Sequence, residues 1–357
     1  MAAPGVAEDT AAPALAPSEI VAAAPKSDWT TVAPSDLLVM DLAPDAKGKP
    51  RRVVIQLMPA PFSQGWIGNI RKLAAAHFWD GLSVNRVQDN YVVQWGDANA
   101  GDDGPTLDAE KLVAERIEAY RHDHPRAGRA ALKLAERQFR QAVMNEAVTK
   151  AADALDRPIA RPLPEGLAVV PERDYLVRDP RKIPIRARLT YDSYAARDAY
   201  ADYAMPFLGW PLAFFEDGIW PVHCYGMVGV GRNLSPDTGS GAELYAVIGH
   251  APRHLDRNIA LVGRVIEGIE HLSSLPRGTE ALGVYKTAEE RTTIQSVRIG
   301  TEVAGLPAYE YLSTESESFA RYADARANRR DAFFIRPAGG ADLCNIPVPV
   351  RRSAGAR

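Results

Sequence analysis

The sequence predicts a mainly β chain: a closed antiparallel barrel with flanking helices, interrupted by a helical insertion. Three observations predict it. Short apolar, β-branched runs alternate with tight turns from Asp36 to Trp95 in a β-β-α-β-β order, which suits a closed antiparallel barrel better than a parallel sheet. Strand character stops at about residue 100, gives way to helical spacing, and resumes after about residue 180. The composition, 46% hydrophobic and 24% charged, is that of an ordinary globular chain with enough apolar side chains for a sizeable core.

The elements follow in order. Residues 1–28 are rich in Ala and Pro, with no cationic start followed by an apolar core, and read as a flexible lead-in. Such a segment is left when a secretion signal is removed, and is equally the disordered tail of a cytosolic protein. A barrel domain is expected over 29–303, with the helical insertion over 100–180 and a C-terminal extension over 304–357. Asp36–Leu42 and Arg52–Leu57 are strands bounded by prolines, and Lys47-Gly48-Lys49-Pro50 between them makes a hairpin. Trp66, Ile67, Ile70 and Leu73 mark a helix over Gln64–His77 with Ser63 at its N-cap. Ser83–Val87 and Tyr91–Trp95 are the next two strands.

Within the insertion, helices are expected over Leu107–Tyr120 and Arg129–Leu155, the second with an apolar stripe through Phe139, Val143 and Ala147. Strands return at Ile183–Thr190, Tyr225–Val230, Leu244–Gly249, Ala260–Val265 and Thr293–Ile299. A helix is expected to begin at Ile266, another over Glu315–Asn328, and the aromatic stretch Tyr191–Trp220 has no clear period.

Several chemistries find little support. With 42 basic against 45 acidic residues, charge gives no argument for nucleic acid or an anionic membrane. No stretch approaches the roughly 18 apolar residues of a membrane span. Gly229 and Gly231 form only a fragment of a dinucleotide fingerprint, Gly239-Ser240-Gly241 lacks nucleophile-elbow spacing, and His122 with His124 reads as a solvated linker rather than a metal site. Arg129, Lys133, Arg137 and Arg140 read as a solvated helix face. Cys224 and Cys344 are either two buried thiols or one long-range disulfide, the latter favoured by export.

The segment Phe78–Asp97 carries the chemistry. It puts Arg86 on one strand and Gln94 on the next, and by alternation Arg86 can share a sheet face with Gln94 and Val92. Two readings stand: an arginine paired structurally with an acid such as Asp89, or an Arg, an amide and apolar side chains forming a peptide-binding groove.

This segment resembles the cyclophilin signature, in which an aromatic-His-Arg-Val run precedes Phe, Met, Gln and then Gly-Gly-Asp. The chain has Val84-Asn85-Arg86-Val87, then Tyr91, Val92, Gln94 and Trp95-Gly96-Asp97. Downstream, Tyr225-Gly226-Met227 resembles the strand before the family's Ala-Asn-Ala loop. Gly241 to Val247 resembles Gly-Ser-Gln-Phe-Phe-Ile-Thr, and His254-Leu255-Asp256 through Gly268 resembles Trp-Leu-Asp-Gly and the strand beyond. The resemblance covers about Asp36 to Ile299 outside the insertion, and Leu255-Asp256-Arg257-Asn258 is most similar to the bacterial branch.

The resemblance implies an eight-stranded barrel and peptidyl-prolyl cis-trans isomerase activity in protein folding, without cofactor or metal. Arg86 and Gln94 would be catalytic, Arg86 acting at the prolyl nitrogen and Gln94 holding the substrate carbonyl. Tyr91, Val92, Tyr245 and Leu255 would line the proline pocket, with Glu243 and His254 beside it. The partners would be proline-containing polypeptides, met by a monomer in the periplasm or, alternatively, the cytoplasm. The departures are Asn85 and Ile259 where histidines are usual, Gly231-Arg232-Asn233 for Ala-Asn-Ala, His254 for Trp, Val92 for Met, and Glu243 for Gln. Glu243 would bring a carboxylate near Arg86. These substitutions keep open a second class of function, a non-catalytic proline-peptide-binding module using the same groove.

Overall fold

The computed structural model describes residues 14–100, 109–125, 128–155, 160–171, 174–178, 198–215, 218–234 and 236–353. Its strands are Trp29–Val32 (β1), Leu37–Leu42 (β2), Arg51–Leu57 (β3), Ser83–Val87 (β4), Val92–Gly96 (β5), Tyr203–Phe207 (β6), Trp210–Phe215 (β7), Gly218–Pro221 (β8), Met227–Val230 (β9), Leu244–Val247 (β10), Leu261–Glu267 (β11), Thr292–Ile299 (β12), Tyr309–Leu312 (β13) and Val350–Arg352 (β14). The helices are Pro17–Ala22 (α1), Gln64–Ala75 (α2), Ala109–Asp123 (α3), Arg129–Leu155 (α4), Glu270–Ser273 (α5) and Glu317–Ala327 (α6). The strand expected over Ile183–Thr190 lies outside the described residues.

Eight strands close an antiparallel barrel in the order β10-β5-β4-β12-β2-β3-β11-β9. The hairpin β2–β3 pairs Leu37 with Gln56 through Leu42 with Arg51. Its apolar run is nearly continuous because both faces are covered. Leu38, Met40, Leu42, Val53, Ile55 and Leu57 point into the main core, while Leu37, Val39 and Val54 pack with Val32 and Tyr309 on the outside.

Helix α2 closes one end of the barrel with Trp66, Ile67, Ile70 and Leu73, all buried. Ser63 stands at its N-cap position, but its hydroxyl does not cap the helix: it donates to the Leu261 carbonyl at 2.6 Å. The Asp174 carboxylate takes over, accepting the Gly65 N–H at 2.8 Å.

The stretch without clear period contains the meander β6-β7-β8, a separate sheet. Leu208 and Gly209, both at positive φ, make its two-residue turn. Most of its residues are buried, which erases the alternation that marks a strand.

No helix begins at Ile266. Strand β11 continues to Glu267 through a bulge at Val265/Glu267, and the short α5 follows at Glu270. In the insertion, α3 and α4 pack against each other, the Tyr120 ring meeting the Phe139 ring edge-on at 6.2 Å.

The two ends of the chain meet. A third sheet has the order β1-β13-β14, so its first strand precedes the barrel and the other two follow it. Helix α1 lies in the segment read as a flexible lead-in, yet it packs on α6: Ile20 and Ala24 join Trp29, Phe319 and Tyr322 in one apolar cluster. Cys224 and Cys344 form a disulfide across 120 residues of sequence, tying the C-terminal segment to the barrel.

Candidate functional site

A row of residues crosses four adjacent barrel strands on one outer face. Arg86 on β4 sits opposite Gln94 on β5, Gln94 opposite Tyr245 on β10, and Tyr245 opposite Gly229 on β9. A bulge between Val84 and Arg86 sets this register and displaces Asn85 from the row.

Arg86 uses three donors inside the protein. Nη1 donates to Gln94 Oε1 at 3.2 Å, Nε to the Leu282 carbonyl at 2.8 Å, and Nη2 to Gln88 Oε1. Its guanidinium carbon lies 5.7 Å from the centre of the Tyr91 ring. Among the described residues no carboxylate pairs with it. Asp89, the candidate structural partner, is bound by Arg277 at 2.9 Å instead. Burial pulls the Arg86 pKa below its ordinary value.

Next to the arginine lies a small apolar cluster. Val92, Tyr245 and Val247 form a buried cluster separate from the barrel core, with Tyr91 and Ile259 packed against it. Val92 and Val247 are cross-strand partners, so alternation places both on the face that carries Gln94 and Tyr245. His254 lies over Tyr91, the ring centres 6.2 Å apart and nearly parallel. Leu255, next along the 253–255 turn, is half-buried and falls outside this cluster. Ile259, which interrupts the sequence pattern, packs there.

On the other side of Arg86 is a cavity of about 640 Å³ that Asn85, Arg86, Gln94, Asp97, Gly231, Arg232 and Glu243 help to line. The expected carboxylate–arginine pair does not form. Glu243 turns toward Gly96, whose missing side chain leaves room for the carboxylate, and Asn85 Nδ2 donates to it at 3.5 Å. Burial pushes the Glu243 pKa up to about 7.

The Gly-rich loop after β9 is held from within: Trp66 Nε1 donates to the Thr238 and Gly239 carbonyls, both at 3.0 Å, and Trp79 Nε1 to Ala242 at 2.8 Å. Arg232 folds back onto the Asn258 and Asn233 carbonyls.

Sequence reasoning missed three contributors. Gly229 gives the Tyr245 ring space, His223 reaches the Tyr245 hydroxyl, and Leu282 supplies a backbone carbonyl to Arg86. Gly229 entered the sequence reading only as part of a dinucleotide-fingerprint fragment, and His223 is a lone histidine just before the Tyr225-Gly226 turn.

A solved cyclophilin from Hirschia baltica aligns over 91% of this chain and 94% of its own length, with a TM-score of 0.54 and 18% identity. The chain has the cyclophilin fold. A cyclophilin-type peptidyl-prolyl cis-trans isomerase from Cryptosporidium parvum, crystallised in the presence of the dipeptide Ala-Pro, aligns over 73% of this chain and 98% of its own. At 8% identity and a TM-score of 0.32 it adds nothing to the fold assignment. No protein-family model and no curated protein matches the sequence. Within this cyclophilin fold the outer row from Arg86 to Gly229, the apolar cluster and the cavity on the other side of Arg86 make up the candidate site.

Proposed function

We propose that the chain is a peptidyl-prolyl cis-trans isomerase acting on X-Pro bonds in polypeptides. The observation that carries this reading is an arginine that has no carboxylate partner among the described residues, held beside Gln94 at the edge of an apolar cluster.

Amide resonance sets the rotational barrier at about 18–20 kcal/mol. In the twisted state that resonance is lost and the prolyl nitrogen regains a lone pair. Three of the five guanidinium N–H groups of Arg86 hold it in place, which leaves two to donate toward a substrate. A donor to the nitrogen favours the twisted amide over the planar one, so its effect is specific to the transition state. Gln94, its Oε1 already accepting from Arg86 and one amide N–H turned to Glu243, keeps its second N–H for the substrate carbonyl. Val92 and Tyr245, with the partly exposed Tyr91 and Ile259 beside them, hold the proline ring by apolar contact while the preceding carbonyl rotates.

The Cys224–Cys344 disulfide supports an oxidising compartment such as the periplasm, where such an enzyme would meet folding chains as a monomer. The test is an NMR exchange measurement on an Ala-Pro peptide with wild type and Arg86→Ala. Faster exchange with wild type alone is expected, and equal exchange rates overturn the proposal.

A non-catalytic proline-peptide-binding role draws on the same groove. The carbonyl of Leu282 and the Gln88 side chain already occupy part of the Arg86 fork, which favours a fixed binding group. Saturable peptide binding without faster exchange would select this reading.

A further inference from the structure

Behind the apolar cluster runs a buried polar chain that the proposed chemistry does not use. The Tyr245 hydroxyl lies 2.8 Å from His223 Nε2, and His223 Nδ1 lies 2.8 Å from Asp256 Oδ1. Asp256 Oδ1 also accepts the His223 backbone N–H at 3.0 Å, while Oδ2 accepts from Arg253 Nε at 2.7 Å. Arg253 sets its remaining fork on Asp198 at 2.7 and 2.8 Å. His223 is 1% exposed and Tyr245 4% exposed, so water does not compete for these bonds.

The chain has a direction. Both Asp256 oxygens already accept, Oδ1 from the His223 backbone N–H and Oδ2 from Arg253, so Nδ1 of His223 is the donor in its bond to Oδ1. That assignment leaves Nε2 to accept from the Tyr245 hydroxyl. Burial raises the Tyr245 pKa well above its ordinary value, which keeps the hydroxyl a donor at working pH. The geometry of the ring fits this tether. Tyr245 crosses Gly229, where any Cβ would meet the phenol, and its ring lies nearly parallel to His223 at 6.3 Å. The Tyr245 hydroxyl thus has a dedicated buried partner.

We propose that His223 is a positioning residue for the proline pocket: held by Asp256, it hydrogen-bonds the Tyr245 hydroxyl and pins the ring flat over Gly229, keeping its apolar face in place beside Val92. The inference rests on reading this face as the proline-peptide site. A ring without the tether is free to leave β9 and give up the position from which it would meet the proline ring, so the tether acts on substrate binding more than on the chemical step.

The test uses the full chain with His223→Leu, Tyr245→Phe and the double variant, assayed on an Ala-Pro peptide. Each single substitution is expected to raise KM about three- to tenfold, the worth of one buried hydrogen bond, with kcat little changed. The double variant should be no worse than either single one, because both remove the same bond. Ring nitrogen shifts of His223 should show Nδ1 protonated in wild type, with the Nε2 signal moving in Tyr245→Phe. A wild-type KM in folded His223→Leu, or additive losses in the double variant, overturns the proposal. Should His223→Leu not fold, Tyr245→Phe, which keeps the ring volume, decides by the same criterion. Absence of exchange enhancement in wild type overturns the isomerase reading alone. The peptide dissociation constant then replaces KM, and unchanged binding in the single variants overturns the positioning role.

Discussion

Tyr245 lies across Gly229 so closely that a methyl group on the glycine would meet the phenol carbon and its oxygen at 2.3 Å. The ring cannot give way inward, because its hydroxyl is held by His223. Gly229→Ala should therefore lift the ring, at a cost of about 1–3 kcal/mol of stability, and weaken peptide binding severalfold. A denaturant titration and a peptide titration check both, and native values in each would refute the account.

Arg86→Lys tests the fork rather than the charge. A lysine has three donors on one nitrogen and cannot reach Leu282, Gln94 and Gln88 from one fixed plane. The variant is expected to lose on the order of a hundredfold in kcat/KM, in the range seen when one preorganised donor is removed, with stability near wild type. Retention of most of the activity would show that charge alone suffices.

Glu243 gives the protein a pH dependence of known sign. Its folded pKa, about 7, stands above the ordinary 4.5 because burial disfavours the carboxylate. Between those values the folded state keeps a proton that the unfolded chain releases. Its stabilising contribution is therefore complete below about pH 4.5 and is lost as the pH rises through about 7. Glu243→Gln should remove this slope and be the more stable form at pH 8, by an amount on the order of 3 kcal/mol. Unfolding midpoints at pH 5 and pH 8 measure it; parallel behaviour of the two proteins would contradict the burial of the carboxyl.

Arg264 is, like Arg253, a buried cation among the described residues. Its guanidinium donates to Gln56 Oε1 at 3.0 and 2.8 Å and to the Gly209 carbonyl at 2.7 Å, and lies 4.6 Å from the Trp210 ring centre. It thus joins the barrel to the β6–β7 turn. Burial pushes its pKa down to about 10. Arg264→Met fills the space but leaves two buried acceptors unpaired, and should cost about 2–4 kcal/mol. Peptide binding should survive, since Arg264 lies outside the Arg86 row. A stable variant, or one that folds normally but no longer binds, would contradict this division.

Much of the barrel was legible because its strands are short, β-branched and separated by turn residues. Ser83–Val87 and Arg129–Leu155 match their expected bounds. The meander β6–β8 was hidden by burial on both faces and by prolines at 206, 211 and 221 within the strands. Strands β1, β13 and β14 have three or four residues each, too few to show a period. At the candidate site, alternation put Arg86, Gln94 and Val92 on one face, and the pairing of β4 with β5 places Arg86 opposite Gln94. The partners that arrive from distant sequence were illegible: Leu282 offers only a backbone carbonyl, and the freedom of Glu243 from Arg86 depends on the empty space over Gly96.

The sheet made from both ends of the chain has a consequence for synthesis. Strand β1 finds no partner until β13 exists, and 280 residues separate Val32 from Leu312. At about 5–20 residues per second on a ribosome, the first strand waits on the order of tens of seconds with both edges bare. Trp29 and Val32, buried in the finished molecule, are exposed throughout that interval. Strand β1 thus stays unpaired until the whole barrel has been made, although it precedes every barrel strand in the chain.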